Sequence, residues 1–231
     1  MEQEREQTIA AYSAMSERKL VKTMYLALRQ RRDLLKVVHK HVNLENRRFQ
    51  EVWSTWWRAK LPPRLEIDLI VTFEDLYREI DDALIVGVEV KYFRVNKSGK
   101  MNMNFYEGLE QTFAYALFGF DGLALWHIFH PDTHDDVIRS YTDGMMRIIH
   151  GFRLPIFYLA GRLAQEHGKI RLEQFAPSYS RMAMDLGYIA RWMHQYFSDT
   201  EMRNPLQHDP GLKASVREGR STLKAVLRIP V

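Results

Sequence analysis

The stretch VGVEVKYF, residues 86–93, decides how this chain is expected to fold. Its valines and its aromatic end are typical of a buried β-strand, yet Glu89 and Lys91 interrupt it two residues apart. Because side chains alternate between the two faces of a strand, both charges lie on one face, while Val88 and Val90 lie on the other. A salt-bridged pair on the wet face of a half-exposed sheet is the simplest reading of this spacing, so the sequence around it has to decide.

A second predicted strand offers a partner for the charged pair. The segment EIDLIVTF, residues 66–73, is joined to the strand at 83–93 by a short acidic connection, and its alternation puts Asp68 on one face. If the two strands pair, Asp68 lies beside Glu89 and Lys91. Two carboxylates at close range repel each other and stay ionised only with a cation between them. Mg²⁺ binds in this way, through one or two carboxylates together with waters and substrate phosphate.

The remaining segments alternate between helical and strand patterns. Apolar residues at helical spacings predict one or two helices over residues 5–42, and further helices at 44–60, 105–120, 180–197 and within 130–152. Short apolar runs predict strands at 122–129 and 155–163. No strand is visible before the one that carries Asp68, unless residues 61–65 form it. This order predicts a mixed α/β sheet covered by helices.

The composition excludes several classes of protein. The 231 residues include no cysteine, which rules out disulfides, cysteine-ligated zinc and iron–sulfur clusters. The acidic start MEQEREQ does not fit a secretory signal, and no apolar run approaches the roughly 20 residues that span a membrane. We therefore expect a cytoplasmic protein with no membrane association.

Positive charge is concentrated in the N-terminal third of the chain. The net charge is only +4, but thirteen Lys or Arg residues between Arg18 and Arg64 face only three acidic ones. Such a basic stretch on helices is typical of a protein that binds a phosphate backbone, and the alternative is a solvated helix face that binds nothing. The candidate nucleic-acid-binding residues are Arg29, Arg31, Arg32, Lys36, Arg47 and Arg48.

These motifs together resemble the PD-(D/E)XK nuclease superfamily. Its signature is an acid on one strand followed by Glu-x-Lys on the next, which Asp68, Glu89 and Lys91 match. In the following predicted helix, Gln111 and Tyr115 match the Gln-x-x-x-Tyr pattern of the RecB-like and phage-exonuclease-like branch, and at this spacing they share one helix face. The resemblance covers roughly residues 44–130.

The resemblance implies a fold and a division of the chain. The superfamily core has the order α-β-β-β-α-β, so we expect a restriction-endonuclease-like mixed sheet flanked by helices. Residues 44–165 are the expected nuclease-like core. Residues 1–43 are then a basic N-terminal helical extension, and residues 166–231 are a mainly helical C-terminal accessory region.

The resemblance also implies an activity and its residues. We expect a deoxyribonuclease dependent on Mg²⁺ or Mn²⁺ that hydrolyses DNA phosphodiester bonds in repair, recombination or defence. Asp68, Glu89 and the Val90 carbonyl would hold the metal, and Lys91 would act on the attacking water or the transition state. Gln111 and Tyr115 would support the lysine.

Members of this branch often add an acid or a histidine from the helix before the first strand. Glu45 is the candidate here, because it shares a helical stripe with the apolar residues Phe49 and Val52. His39 and His41 are the alternatives.

Two alternatives to an enzyme fit the same residues. The fold could serve as a non-catalytic module that binds DNA or a partner protein, or carry only a surface Glu–Lys pair. No Walker loop is present, so unwinding would require a helicase or another protein partner. A zinc site formed by His127, His130 and His134 is disfavoured, because His127 and His130 fall at different places around a predicted strand end.

Overall fold

The computed structural model describes residues 15–44, 47, 50–51, 66–75, 83–94, 101, 106–164 and 170–229. Within them the chain forms a seven-stranded mixed sheet flanked by five α-helices. The strands are β1 (Val37–Asn43), β2 (Glu66–Glu74), β3 (Ala83–Phe93), β4 (Gly122–Phe129), β5 (Ile156–Leu163), β6 (Arg171–Ala176) and β7 (Ser180–Asp185). The helices are α1 (Glu17–Arg29), α2 (Leu109–Leu117), α3 (Asp135–Gly151), α4 (Leu186–Ser198) and α5 (Lys213–Leu227).

The strands lie in the sheet in the order in which they occur along the chain. β1, β2 and β3 form an antiparallel meander, β3, β4 and β5 are parallel, and β5, β6 and β7 are again antiparallel. The two parallel connections contain α2 and α3, as crossovers between parallel strands require. The predicted mixed α/β sheet is therefore confirmed.

Helices cover both faces of the sheet. One apolar cluster joins α1 and α4 to one face, where β3 contributes Val86, Val88 and Val90. The other cluster joins α2, α3 and α5 to the opposite face, which also carries Glu89 and Lys91. Burial on both faces explains why β3 is apolar at nearly every position. None of the described helices is long and apolar enough to cross a membrane.

Two segments predicted as helical are strands. Residues 37–42, part of the predicted helix over 5–42, belong to β1, which pairs with β2 from Val37↔Thr72 to Asn43↔Glu66. Its valines favour a strand, and this pairing overrides the helical spacing. Residues 180–185 form β7, and the helix predicted over 180–197 begins only at Leu186. The Asp185 side chain caps that helix by accepting a hydrogen bond from the Tyr188 N–H at 2.8 Å.

The sheet extends across the whole described chain. β1 precedes the expected boundary at residue 43, whereas β6 and β7 follow the one at 165. The C-terminal region thus contributes two strands to the same sheet in addition to α4 and α5. These strands place the C-terminal region next to β5, on the side of the sheet away from β2.

Candidate functional site

The site lies where β2 and β3 separate. Their last registered pair is Leu69↔Val88, although β3 continues to Phe93. Beyond that pair, side-chain carboxylates bind the edge of β3: Asp68 Oδ2 accepts from the Val90 N–H at 2.9 Å. One step further on, the Glu17 Oε2 atom of α1 accepts from the Tyr92 N–H at 2.8 Å. Two carboxylates therefore take the places that strand pairing would otherwise fill.

Glu89 and Lys91 form a buried ion pair in this gap. Lys91 Nζ lies 2.7 Å from Glu89 Oε1, and the side chains are 14% and 2% exposed. On the other side of the carboxylate, the Tyr115 hydroxyl donates a hydrogen bond to Glu89 Oε2. Both oxygens of Glu89 are thus fixed, and the pair is not a salt bridge on a wet face of the sheet.

Two glycines allow this close packing. A Cβ atom on Gly87 would lie 2.8 Å from Tyr115 Cδ2, so glycine lets the tyrosine ring rest on β3. Gly108, which precedes α2, has a φ of 81°, a left-handed conformation that favours glycine. A Cβ there would lie 3.0 Å from Lys91 Cε and 3.2 Å from Glu89 Cγ. The turn before α2 therefore packs directly on the ion pair.

Negative charge exceeds positive charge at the site. Burial, together with the carboxylates of Glu89 and Glu17, raises the pKa of Asp68 to about 7, although the Val90 N–H and Lys91 act in the opposite direction. Burial also raises the pKa of Glu89, although Lys91 and Tyr115 oppose the shift. For Lys91, burial lowers the pKa, but the Glu89 carboxylate outweighs it and the net pKa is raised. Among the described residues, three carboxylates thus share one ammonium group, and this arrangement favours an additional cation or a proton.

The available donors fit a cation of the Mg²⁺ type. Asp68 and Glu89 supply two carboxylates, and the Val90 carbonyl points to the same strand edge as the Val90 N–H, towards Asp68. Within the described residues, no three His, Asp or Glu side chains are grouped closely enough to hold a metal by themselves. Mg²⁺ commonly takes only one or two protein carboxylates and completes its shell with water and phosphate oxygens.

Glu17 is the acid that the sequence pattern alone did not reveal. Glu45, the candidate predicted from the sequence, lies outside the described residues. Glu17 lies on the helix before the first strand, at the start of the stripe that continues with the buried residues Val21, Met24 and Leu28. A carboxylate at the head of an otherwise apolar stripe was the available signal, since such a stripe faces the core.

The other candidates around the site have different surroundings. Gln111 lies one turn before Tyr115 on α2 and is half-buried, so its supporting role stays a prediction. His39 and His41 lie on β1 instead of a helix. His41 Nδ1 is 3.1 Å from Glu66 Oε1, and burial lowers the pKa of His39.

His127 is a neutral neighbour of the catalytic candidates. It stands opposite Lys91 in the β3–β4 register. Its Nε2 lies 2.8 Å from the Glu107 carbonyl, so this nitrogen carries the proton, and the Tyr158 hydroxyl donates to Nδ1 at 3.0 Å. Burial lowers the pKa of His127 to about 3, which leaves the imidazole uncharged at neutral pH. Both ring nitrogens are thus engaged, which leaves neither one for a zinc ion.

The predicted nucleic-acid-binding residues do not form one group. Arg29, Arg32 and Lys36 line a groove beside β1. Arg31 binds Asp33 instead, with Nη2 at 2.8 Å from Oδ2. Arg47 is exposed and pairs with Glu51 at 3.0 Å, and Arg48 lies outside the described residues.

Comparison of the chain with protein-family models, with curated proteins and with solved structures gave no match.

Proposed function

We propose that the protein is a divalent-metal-dependent nuclease that hydrolyses the phosphodiester bonds of DNA. The observation that carries this proposal is the meeting of Asp68, Glu89 and Lys91 in the gap between β2 and β3, where the described residues supply more carboxylates than cations. Apart from the helical residues Arg47, Gln50 and Glu51 between β1 and β2, the order α1, β1, β2, β3, α2 and β4 agrees with the α-β-β-β-α-β order of PD-(D/E)XK nucleases. This agreement supports a restriction-endonuclease-like core.

The metal-binding residues of the proposal are Asp68, Glu89 and the Val90 carbonyl. A Mg²⁺ or Mn²⁺ ion held there would supply positive charge to the phosphate and lower the pKa of a bound water. Asp68 keeps its orientation through the Val90 N–H, and Glu89 keeps its orientation through Tyr115 and Lys91. These hydrogen bonds fix both carboxylates before a cation arrives, so little rearrangement accompanies binding.

Lys91 acts in this proposal as a charged hydrogen-bond donor. Its raised pKa keeps the ammonium group protonated at neutral pH, so it is poorly suited to accept a proton from water. Instead, it can donate hydrogen bonds to the attacking water and to a phosphate oxygen as negative charge develops there. Loss of one such preorganised donor typically lowers the turnover rate about 10²- to 10³-fold.

The decisive experiment separates catalysis from metal binding. Lys91→Ala removes the donor and leaves both carboxylates, so we expect cleavage to fall about 10²-fold or more while Mg²⁺ still raises the melting temperature. Glu89→Gln keeps an oxygen for Tyr115 but removes a charged metal ligand, so cleavage and the effect of Mg²⁺ should both be lost. Lys213→Ala, an exposed lysine at the start of α5, is the matched control and should change neither.

The measurements are cleavage of labelled single- and double-stranded DNA in Mg²⁺ and Mn²⁺, and melting with and without each ion. If the wild-type protein cleaves neither DNA and no divalent ion raises its melting temperature, the nuclease proposal is wrong. The protein would then be a non-catalytic module that binds DNA or a partner protein.

A further inference from the structure

Helix α1 carries a basic stripe beside its buried face. Arg18, Lys22, Tyr25 and Arg29 follow one another at i, i+4, i+7 and i+11, which places them along one side of the helix. The three cations are exposed, whereas Tyr25 is half-buried. The stripe begins next to Glu17, whose carboxylate lies in the gap between β2 and β3, and it runs away from that gap.

The far end of this stripe opens into a groove between α1 and β1. The described residues that line the groove are Tyr25, Arg29, Arg32, Leu35, Lys36, Val37, Val38 and His39. The Tyr25 ring contacts one cation from α1 and one from β1. The Arg29 guanidinium lies 6.0 Å and the Lys40 ammonium 5.6 Å from its centroid. Cation–π attraction of this kind holds two like charges at one place.

Three of the described residues that line the groove are Lys or Arg, and none of them is acidic. Asp33 is close in sequence, but it binds Arg31 through two hydrogen bonds of 3.0 and 2.8 Å. Arg31 is not among the residues that line the groove. A concave surface of one charge sign attracts a polyanion.

We propose that this groove and the stripe leading to it bind the phosphate backbone of a DNA strand on one side of the cleavage site. The position of the cleaved bond rests on the proposed nuclease function. Twelve residues separate Glu17 from Arg29, which corresponds to about 18 Å along the helix. One strand of B-form DNA carries a phosphate about every 3.4 Å of the helix axis, so this distance spans about five phosphates. The substrate is therefore a polynucleotide that extends about five nucleotides beyond the bond that is cut.

A regular polyanion fits this surface better than an acidic peptide. The exposed cations Arg18, Lys22 and Arg29 extend along about 17 Å of the helix, so a backbone that carries a charge about every 3.4 Å can contact all three. Apart from the Tyr25 ring, which lies near Arg29 and Lys40, the described lining offers apolar contact only through Leu35, Val37 and Val38, so it provides little apolar surface for the side chains of a peptide.

The test compares two variants that each lose three positive charges. The groove variant combines Arg29→Ala, Arg32→Ala and Lys36→Ala. The control variant combines Arg31→Ala, Lys213→Ala and Arg217→Ala, which lie outside the groove. Binding of a fluorescent 30-nucleotide DNA, as a single strand and as a duplex, is measured in EDTA over a range of salt concentrations, so that neither metal nor cleavage affects the result.

We expect the groove variant to bind more weakly and to lose salt dependence. Each lost phosphate contact lowers the slope of log affinity against log salt by about 0.7 for a single strand and about 0.9 for a duplex, so the total change should be about 2 to 3. The control variant should keep the wild-type slope. In the wild type, affinity should increase with oligonucleotide length until the strand can reach the groove.

Each outcome decides between the two proposals. Equal slopes for the two variants overturn the groove proposal, and so does displacement of DNA by poly-glutamate at an equal charge concentration. If the wild type cleaves DNA while the slopes stay equal, only the groove proposal fails. If the slopes differ as expected but no DNA is cleaved, the groove proposal holds and the nuclease function fails.

Discussion

Two buried carboxylate sites lie at opposite ends of β3, and they differ in how their charge is compensated. At one end, Asp121, just before β4, accepts hydrogen bonds from the Ile85 N–H at 2.8 Å and from Gln207 at 2.7 Å. Arg220 donates to both of its oxygens, at 2.7 and 3.1 Å. Both side chains are almost completely buried. This carboxylate is fully satisfied and paired with a guanidinium.

At the other end, Asp68 accepts one hydrogen bond from the Val90 N–H. Its neighbours Glu89 and Glu17 are also carboxylates, and the ammonium group of Lys91 already contacts Glu89 at 2.7 Å. Burial of an acid is common to both sites, so the supply of positive charge is what distinguishes them. A carboxylate that stabilises the fold has a dedicated cation, whereas one short of positive charge is suited to bind a metal.

Two buried ion pairs attach the C-terminal region to the sheet. Arg203 binds Asp75 through two hydrogen bonds of 2.9 and 3.0 Å, and Arg220 binds Asp121. Asp75 follows β2 and Asp121 precedes β4, so both arginines attach the C-terminal region to the centre of the sheet. We infer that this region stabilises the sheet from the end opposite to the candidate site.

The largest loss of stability is expected when Asp121 loses its partner Arg220. Arg220→Met leaves Asp121 buried without its partner, and loss of one partner from a buried ion pair typically destabilises a protein by about 3–5 kcal/mol. The free energy of unfolding, measured by urea denaturation, should fall by this amount with and without Mg²⁺. Arg217→Met, an exposed arginine on the same helix, should change it by no more than about 0.5 kcal/mol. A loss below about 1 kcal/mol for Arg220→Met would contradict the comparison.

At the other end of β3, removal of a charge is expected to stabilise the protein instead of destabilising it. Folding raises the pKa of Asp68 from 3.8 to about 7, so its protonated form is favoured in the native state. The resulting stability is complete below pH 3.8 and is lost as the pH rises through about 7. Asp68→Asn removes the ionised form. Without metal, it should therefore stabilise the protein by about 2 kcal/mol at pH 8 and less at pH 5, since about 1.4 kcal/mol accompanies each pH unit and Glu89 shares the interaction.

Urea denaturation at pH 5 and pH 8 in EDTA checks this second prediction. Asp143→Asn, on an exposed position of α3, is the matched control and should stay within about 0.5 kcal/mol of the wild type. In the wild type, Mg²⁺ should stabilise more at pH 8 than at pH 5, because the proton on Asp68 competes with the cation. A destabilised Asp68→Asn protein at pH 8 would show that Asp68 is compensated like Asp121.

The central strands and their charges could be predicted from the sequence. β3 and β4 have the predicted bounds, since their continuous apolar runs leave few alternatives. The period-two alternation placed Glu89 and Lys91 on one face, where they form an ion pair. Asp68 reaches the edge of the same strand through the Val90 N–H. Local patterns were sufficient wherever a strand is buried on both faces.

Other features of the structure could not be predicted, because they depend on contacts between residues that are distant in the sequence. β1 alternates weakly because His39, Lys40 and His41 fall in its centre, and its strand character comes from pairing with β2. The contact of Glu17 with Tyr92 joins residues 75 positions apart and exists only because β2 and β3 separate. The pairing of Asp121 with Arg220 spans 99 residues and follows no motif.

The smallest change in stability is expected for Tyr115→Phe. This substitution tests the hydrogen bond between α2 and Glu89. The pKa of the Tyr115 hydroxyl is raised by burial and by Glu89, so the hydroxyl stays protonated and donates to the carboxylate at every working pH. Its removal leaves Glu89 Oε2 without this donor and raises the pKa of Glu89 further. We expect a loss of about 1 kcal/mol in stability. Mg²⁺ binding should weaken about fivefold, which corresponds to a similar free energy.

Urea denaturation in EDTA and a titration with Mg²⁺ measure the two effects of this substitution. Tyr188→Phe is the control, because Tyr188 is exposed on α4, and it should change neither quantity. A loss of stability as large as that of Arg220→Met, with unchanged Mg²⁺ affinity, would mean that Tyr115 stabilises the fold and does not support metal binding. The expected pattern, a small loss of stability with weaker Mg²⁺ binding, would mean that the Tyr115 hydroxyl serves the carboxylate that is short of positive charge.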